Sequence, residues 1–133
     1  MVARDLPLPF HDPVATTSAG IAHCVYKEKG TEAYFNLARE MYKSTLTNGK
    51  GIPAATFDKL IAAQGVDVAA MKACAASQES KDRITKSIEE GNALGIEGTP
   101  SFLIGKLESG KVKGEVVIGA QPQATFEKVI DKY

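Results

Sequence analysis

Cysteine and histidine are scarce in this sequence, and like charge is not in surplus. Two cysteines and two histidines stand among 133 residues. A structural or catalytic metal site needs about four ligands at tight spacing, which His11, His23, Cys24 and Cys74 do not supply, so no metal is expected and both histidines read as surface or capping residues. Sixteen basic side chains balance sixteen acidic ones, which removes the electrostatic reason to expect nucleic acid or another polyanion as partner. No apolar run approaches the ~18 residues needed to span a membrane. The start, Met1-Val2-Ala3-Arg4-Asp5, reaches charge where the apolar core of an export signal would begin. The chain as given is expected to be soluble, with any export signal outside it.

What is present suits a single globular domain. Hydrophobic residues make up 44% and charged residues 24%, enough apolar side chain for a core without staples. Val2 to Leu6 reads as the tail of a strand, and Pro7 and Pro9 end it. Asp12-Pro13 is an N-cap followed by proline at a first helical position. Val14, Thr17, Ile21, Cys24 and Val25 then share a helix face that Gly30 closes. A second helix carries Tyr34, Leu37, Ala38, Met41 and Tyr42 inward, and Ser44 to Gly51 reads as a loop. Pro53 opens a third helix with Phe57, Leu60 and Ile61, closed by Gly65. Asp67 caps a fourth with Val68, Met71, Cys74 and Ala75, and a fifth runs from about Glu79 to Ala93.

The pattern then changes period. Ser101 to Ile104 and Glu115 to Ile118 read as short strands around a charged loop, Lys106 to Lys113. Gln121-Pro122 starts a last helix with Phe126, Val129 and Ile130 inward. The acids Asp58, Asp67, Glu89 and Glu90 are expected at helix ends and solvent faces rather than as an acid–base pair.

Four segments in this order resemble the DsbA-like thiol–disulfide oxidoreductase family. They are Arg4 to His11, the helix bearing Cys24, Gly95-Ile96-Glu97-Gly98-Thr99-Pro100-Ser101-Phe102, and Gly119-Ala120-Gln121-Pro122 before the last helix. The resemblance implies an α/β thioredoxin-like fold with a helical insertion, residues 12–95, between the second strand and a cis-proline loop. Residues 96–133 form the closing β-β-α unit of one incomplete domain. It also implies that the N-terminal β-α unit, with its Cys-x-x-Cys at a helix N-terminus, is missing. There, unpaired N–H groups and a partial positive charge would lower the thiol pKa. Cys24 and Cys74 are 50 residues apart and cannot form that motif.

By the same resemblance Gly98, Thr99 and Pro100 form the substrate-binding loop, with Thr99–Pro100 cis, and the partner is a cysteine-containing polypeptide. No dissociable cofactor is implied. Cys24 and Cys74 fit either two small buried hydrophobes or a structural disulfide of the kind many family members carry. The bridge would suit the family's periplasmic or extracellular setting. Unpaired strand edges imply self-association as a homodimer. The missing helix implies in turn that Val2, Phe10 and Phe102, which would pack on it, are exposed. Two further readings stay open: a non-catalytic peptide-binding module of this fold, and a glutathione-using relative of the kappa transferase or chromene-carboxylate isomerase kind.

Overall fold

In the computed structural model, which describes residues 1–47 and 49–133, a short 3-10 turn at Pro9–His11 precedes a run of helices. These are α1 (Val14–Ser44), α2 (Ala54–Ala62), α3 (Val68–Ala76) and α4 (Gln78–Ala93). Strands β1 (Ser101–Glu108) and β2 (Lys111–Ile118) and helix α5 (Gln123–Ile130) complete the chain. By its internal contacts the chain divides into two units, Met1–Ile88 and Glu89–Tyr133.

The first unit is helical and is organised by the stripe on α1. Ile21, Cys24 and Val25 are at most 2% exposed. They pack with Leu37, Ile61, Val66 and Met71 from the second half of α1, α2, the loop after it and α3. Gly30 breaks α1 at φ 82°, ψ −168°, and the helix resumes immediately, giving the two helical halves expected. The Asp12 carboxylate accepts from the Thr16 N–H at 3.2 Å and the Thr16 hydroxyl at 2.6 Å, satisfying a first-turn donor. Asp67 does the same for the Ala70 N–H at 2.7 Å. The Asp12–Pro13 peptide bond is cis. Within the expected Ser44–Gly51 loop, Leu46 and Gly51 form an isolated antiparallel bridge, and Asn48 lies outside the described residues.

In the second unit β1 and β2 pair antiparallel from Ser101↔Ile118 to Glu108↔Lys111. Helix α5 covers one face of this hairpin. Phe126 meets Phe102 edge to face at 4.9 Å, and Val117 and Val129 are buried. Lys132 donates to Glu115 at 2.8 Å on the same side.

Several expectations are corrected. Val2 to Leu6 is not a strand: residues 1–8 have no regular structure. A strand exists only through its ladder, and the only multi-residue ladder among the described residues is β1–β2. Lys106 to Lys113 is not a loop, because the ladder continues to Glu108 and Lys111. The turn is Ser109-Gly110 alone, with φ 50° and 77°, the left-handed pair that a two-residue hairpin turn needs and that Gly110 adopts without strain. The charges that suggested a loop sit at exposed strand positions, where Lys113 reaches Glu108 at 2.8 Å. Thr17, Tyr42 and Ile130 face solvent, Tyr42 at 83% and Ile130 at 56%. Tyr42 lies about 140° around the helix from Leu37 at 100° per residue, off the buried stripe. Val2, Phe10 and Phe102 are all exposed.

Candidate functional site

Helix α4 ends in a glycine cap that aims the chain into the loop before β1. Gly95 has φ 69°, its N–H donates to Asn92 O, and the Ile96 N–H donates to Gly91 O. That 6→1 and 5→2 pair is a Schellman motif, whose C′ position favours glycine. The following turn is closed by Ser101, whose hydroxyl donates to Gly98 O at 2.7 Å. The Thr99–Pro100 bond is cis. Pro100 O accepts from the Gly119 N–H at 2.8 Å, which ties the loop to the end of β2. Gln121 donates to Ile118 O at 2.9 Å, fixing the entry to α5.

Gly98, Thr99 and Pro100 thus lie together at the mouth of the hairpin. Thr99 and Pro100 are exposed. Neither the N–H nor the carbonyl of Thr99 has a hydrogen-bond partner among the described residues. The loop therefore presents one free donor and one free acceptor beside a strand start, and Pro100 adds no N–H of its own. An extended peptide can pair with such a backbone segment.

The two cysteines are placed elsewhere, in the helical unit. Cys24, mid-α1, and Cys74, in the last turn of α3, form a disulfide with Cα atoms 6.1 Å apart. Cys24 belongs to the buried cluster and Cys74 packs against it. Neither is at a helix N-terminus, so neither has the electrostatic support that makes a redox-active thiolate.

Around the bridge the structure assembles residues that sequence reasoning did not join. Arg83 of α4 donates to Asp5 at 2.7 Å, pinning the irregular N-terminal segment to the helix. A 78-residue separation left no local signal for that pair. Lys27 and Glu79 pair at 2.6 Å. His23 is held below its ordinary pKa, first by burial and then by the Arg83 charge. Burial, with the Asp5 carboxylate adding, pushes the Tyr34 hydroxyl up to about 12. His23 is part of this cluster, whereas His11 stacks edge-on to Phe10 at 4.5 Å. Among the described residues no group of three His, Cys, Asp or Glu side chains is placed to hold a metal ion. No described helix is long and apolar enough to cross a membrane.

Helices ahead of a cis-proline loop, then an antiparallel hairpin and a closing helix, define a thioredoxin-like fold with a helical insertion. The chain matches the family model of the DSBA-like thioredoxin domain over residues 2–131, and it belongs to that family, one of thiol–disulfide oxidoreductases. The structure is similar to that of DsbA2 from Pseudomonas aeruginosa, with a TM-score of 0.80 and 25% identity over 97% of this chain and 68% of that one. It also resembles ScsC from Proteus mirabilis in a compact conformation, with a TM-score of 0.64 and 18% identity over 95% of this chain and 61% of that one. The chain spans about two thirds of the length of these proteins. No curated protein matches the sequence.

Proposed function

We propose that this chain is the substrate-binding part of a protein thiol–disulfide oxidoreductase acting on cysteine-containing polypeptides, and that as given it performs no dithiol–disulfide exchange. The observation that carries this reading is the fate of the cysteines. Both are engaged with each other across 50 residues, so no Cys-x-x-Cys pair remains for the family's reaction. Gly98, Thr99 and Pro100 are the residues that bind the substrate. The exposed Thr99 backbone pairs with an extended polypeptide, and the free edge of β1, bonded to β2 alone among the described residues, extends that pairing. Residues 1–133 act as one incomplete domain. The setting is periplasmic or extracellular, which the disulfide suits. The unpaired strand edges support homodimer formation.

The same free edge also supports a non-catalytic binding module, and two measurements separate the readings. In the first, the oxidised chain is assayed for insulin reduction and titrated with a cysteine-containing peptide by NMR. The expected result is no turnover above the reductant background and shifts centred on Gly98 to Ser101. Turnover, or shifts confined to the helical unit, overturns the proposal. In the second, the genomic sequence upstream of the Met1 codon is read: an in-frame Cys-x-x-Cys favours the oxidoreductase, and its absence favours the module.

A further inference from the structure

The ladder between β1 and β2 fixes which way each residue of β1 turns its backbone. Pro100 O accepts from the Gly119 N–H, in step with a register that pairs Phe102 with Val117 and ends at Glu108 and Lys111. Hydrogen-bonded pairs recur at every second residue of an antiparallel ladder, so Phe102, Ile104, Lys106 and Glu108 turn their N–H and C=O groups toward β2. Ser101, Leu103, Gly105 and Leu107 turn theirs the other way, where β1 has no neighbour among the described residues. With Thr99 they make one continuous row of free donors and acceptors. Their side chains fall on the hairpin face away from α5, where Leu103 is 36% and Leu107 73% exposed. That face carries no charge: Lys106, Glu108, Lys111, Lys113 and Glu115, the charged residues of the two strands, all lie on the α5 side. A sheet with one covered face ordinarily keeps its polar residues on the open one. The edge also lacks the usual guards, since β1 has no proline, an unbroken register, and a single lysine that projects to the α5 side.

We propose that two copies of this chain join β1 to β1 across a two-fold axis, and that this pairing covers the edge offered to a substrate polypeptide, so that dimer and substrate exclude each other. The inference rests on the proposed binding of substrate along β1 and gives that site its regulation. Residues directly opposite in an antiparallel pair share a face, which restricts the register. With the axis at Gly105, Leu103 stands against Leu107 of the second copy, twice. Ile104 then meets Lys106 and Phe102 meets Glu108, so no like charges are directly opposed. The formal net charge of zero removes overall repulsion between copies. The product is a four-stranded sheet with one continuous apolar face, beyond the size at which a hairpin is marginal. A single shared ladder is small beside the about 800 Å² per partner of a standing complex, so the pairing depends on concentration.

The test follows amide hydrogen exchange of the full chain by NMR from dilute to concentrated solution, with sedimentation giving the dimer dissociation constant. The Leu103, Gly105 and Leu107 amides are expected to gain protection with concentration, while those of Val112, Gly114 and Val116 on the outer edge of β2 stay unprotected. At about ten times that constant about one fifth of the chain is monomeric, so a trace of labelled cysteine-containing peptide is expected to bind about five-fold more weakly than to the dilute chain. Leu107→Lys sets an ammonium against Leu103 of the second copy and is expected to raise the constant about ten-fold. Should that variant lose the hairpin, the unsubstituted chain decides alone. Protection of the β2 amides instead, a chain still monomeric at millimolar concentration, or a peptide that binds monomer and dimer alike would each overturn the proposal. A peptide that binds at no concentration would sink the substrate reading and the exclusion with it, while the amide pattern alone decides the dimer.

Discussion

In the helical unit, Ile21, Cys24, Val25, Leu37, Ile61, Val66 and Met71 interlock, and a disulfide ties α1 to α3 through the middle of that cluster. In the β-β-α unit, Val117 and Val129 are the buried side chains among the described residues. Phe102, Leu103, Leu107, Val112, Ile118, Ile130 and Tyr133 of the same unit remain exposed. Leu103, Leu107, Val112 and Ile118 all lie on the hairpin face away from α5, because strand side chains alternate and the register pairs Leu107 with Val112 and Ser101 with Ile118. The contrast teaches where each unit gets its order. The helices close on themselves, whereas a two-stranded hairpin with one covered face is marginal by itself. The unit that carries the proposed substrate loop is thus the one with the least core beneath it.

That comparison breaks first at the disulfide. Cys24→Ser with Cys74→Ser releases a loop of about 50 residues, worth about 4 kcal/mol of stability. Denaturant unfolding followed by residue-resolved hydrogen exchange should place the loss in Met1–Ile88. Equal loss of protection in the hairpin would mean that the two units do not derive their order separately.

A matched pair of core truncations sharpens the contrast. Leu37→Ala should cost about 3 kcal/mol and read out in helical amides. Val117→Ala removes less apolar volume, about 1.5 kcal/mol, yet should strip protection from 101–118 almost completely because so little else is buried there. If the hairpin amides survive Val117→Ala, the unit has support beyond its own two buried valines.

The smallest effect expected is pH-dependent and confined to the helical unit. The folded chain holds His23 below its ordinary pKa of 6.5, so the unfolded chain binds that proton more readily. The contribution is therefore complete above pH 6.5 and is lost as pH falls through the lower folded value. Thermal melts between pH 7.5 and 5 should show the decline, and His23→Gln should flatten it. A slope that persists in His23→Gln would assign it to another group.

The family was legible because its marks are local. Asp12-Pro13, Asp67 and Gly95 are helix-end chemistry written in single residues, and Thr99-Pro100 ahead of an apolar run announces a strand entry. Where the reading missed, it used composition in place of geometry. Lys106 to Lys113 looked like a loop by its charge, although Ser109-Gly110 already held the one turn the hairpin needs. Tyr42 and Ile130 fit the inward stripes of their helices by spacing, yet each lies at the edge of its stripe and faces solvent. Val2 to Leu6 has strand composition but no ladder in this chain.

The sequence by itself determined the helix ends, the change of period after Ala93, the proline loop and the absence of a Cys-x-x-Cys, because each is fixed by residues near one another in the chain. Only the tertiary structure decided that Cys24 and Cys74 meet, that Arg83 reaches back to Asp5, and that Ser80 and Arg83 come to lie beside the bridge. Those contacts join residues 50 and 78 positions apart. Their distance depends on how α1, α3 and α4 pack, and helical periodicity specifies which face of each helix is buried without specifying which residues of another helix it meets.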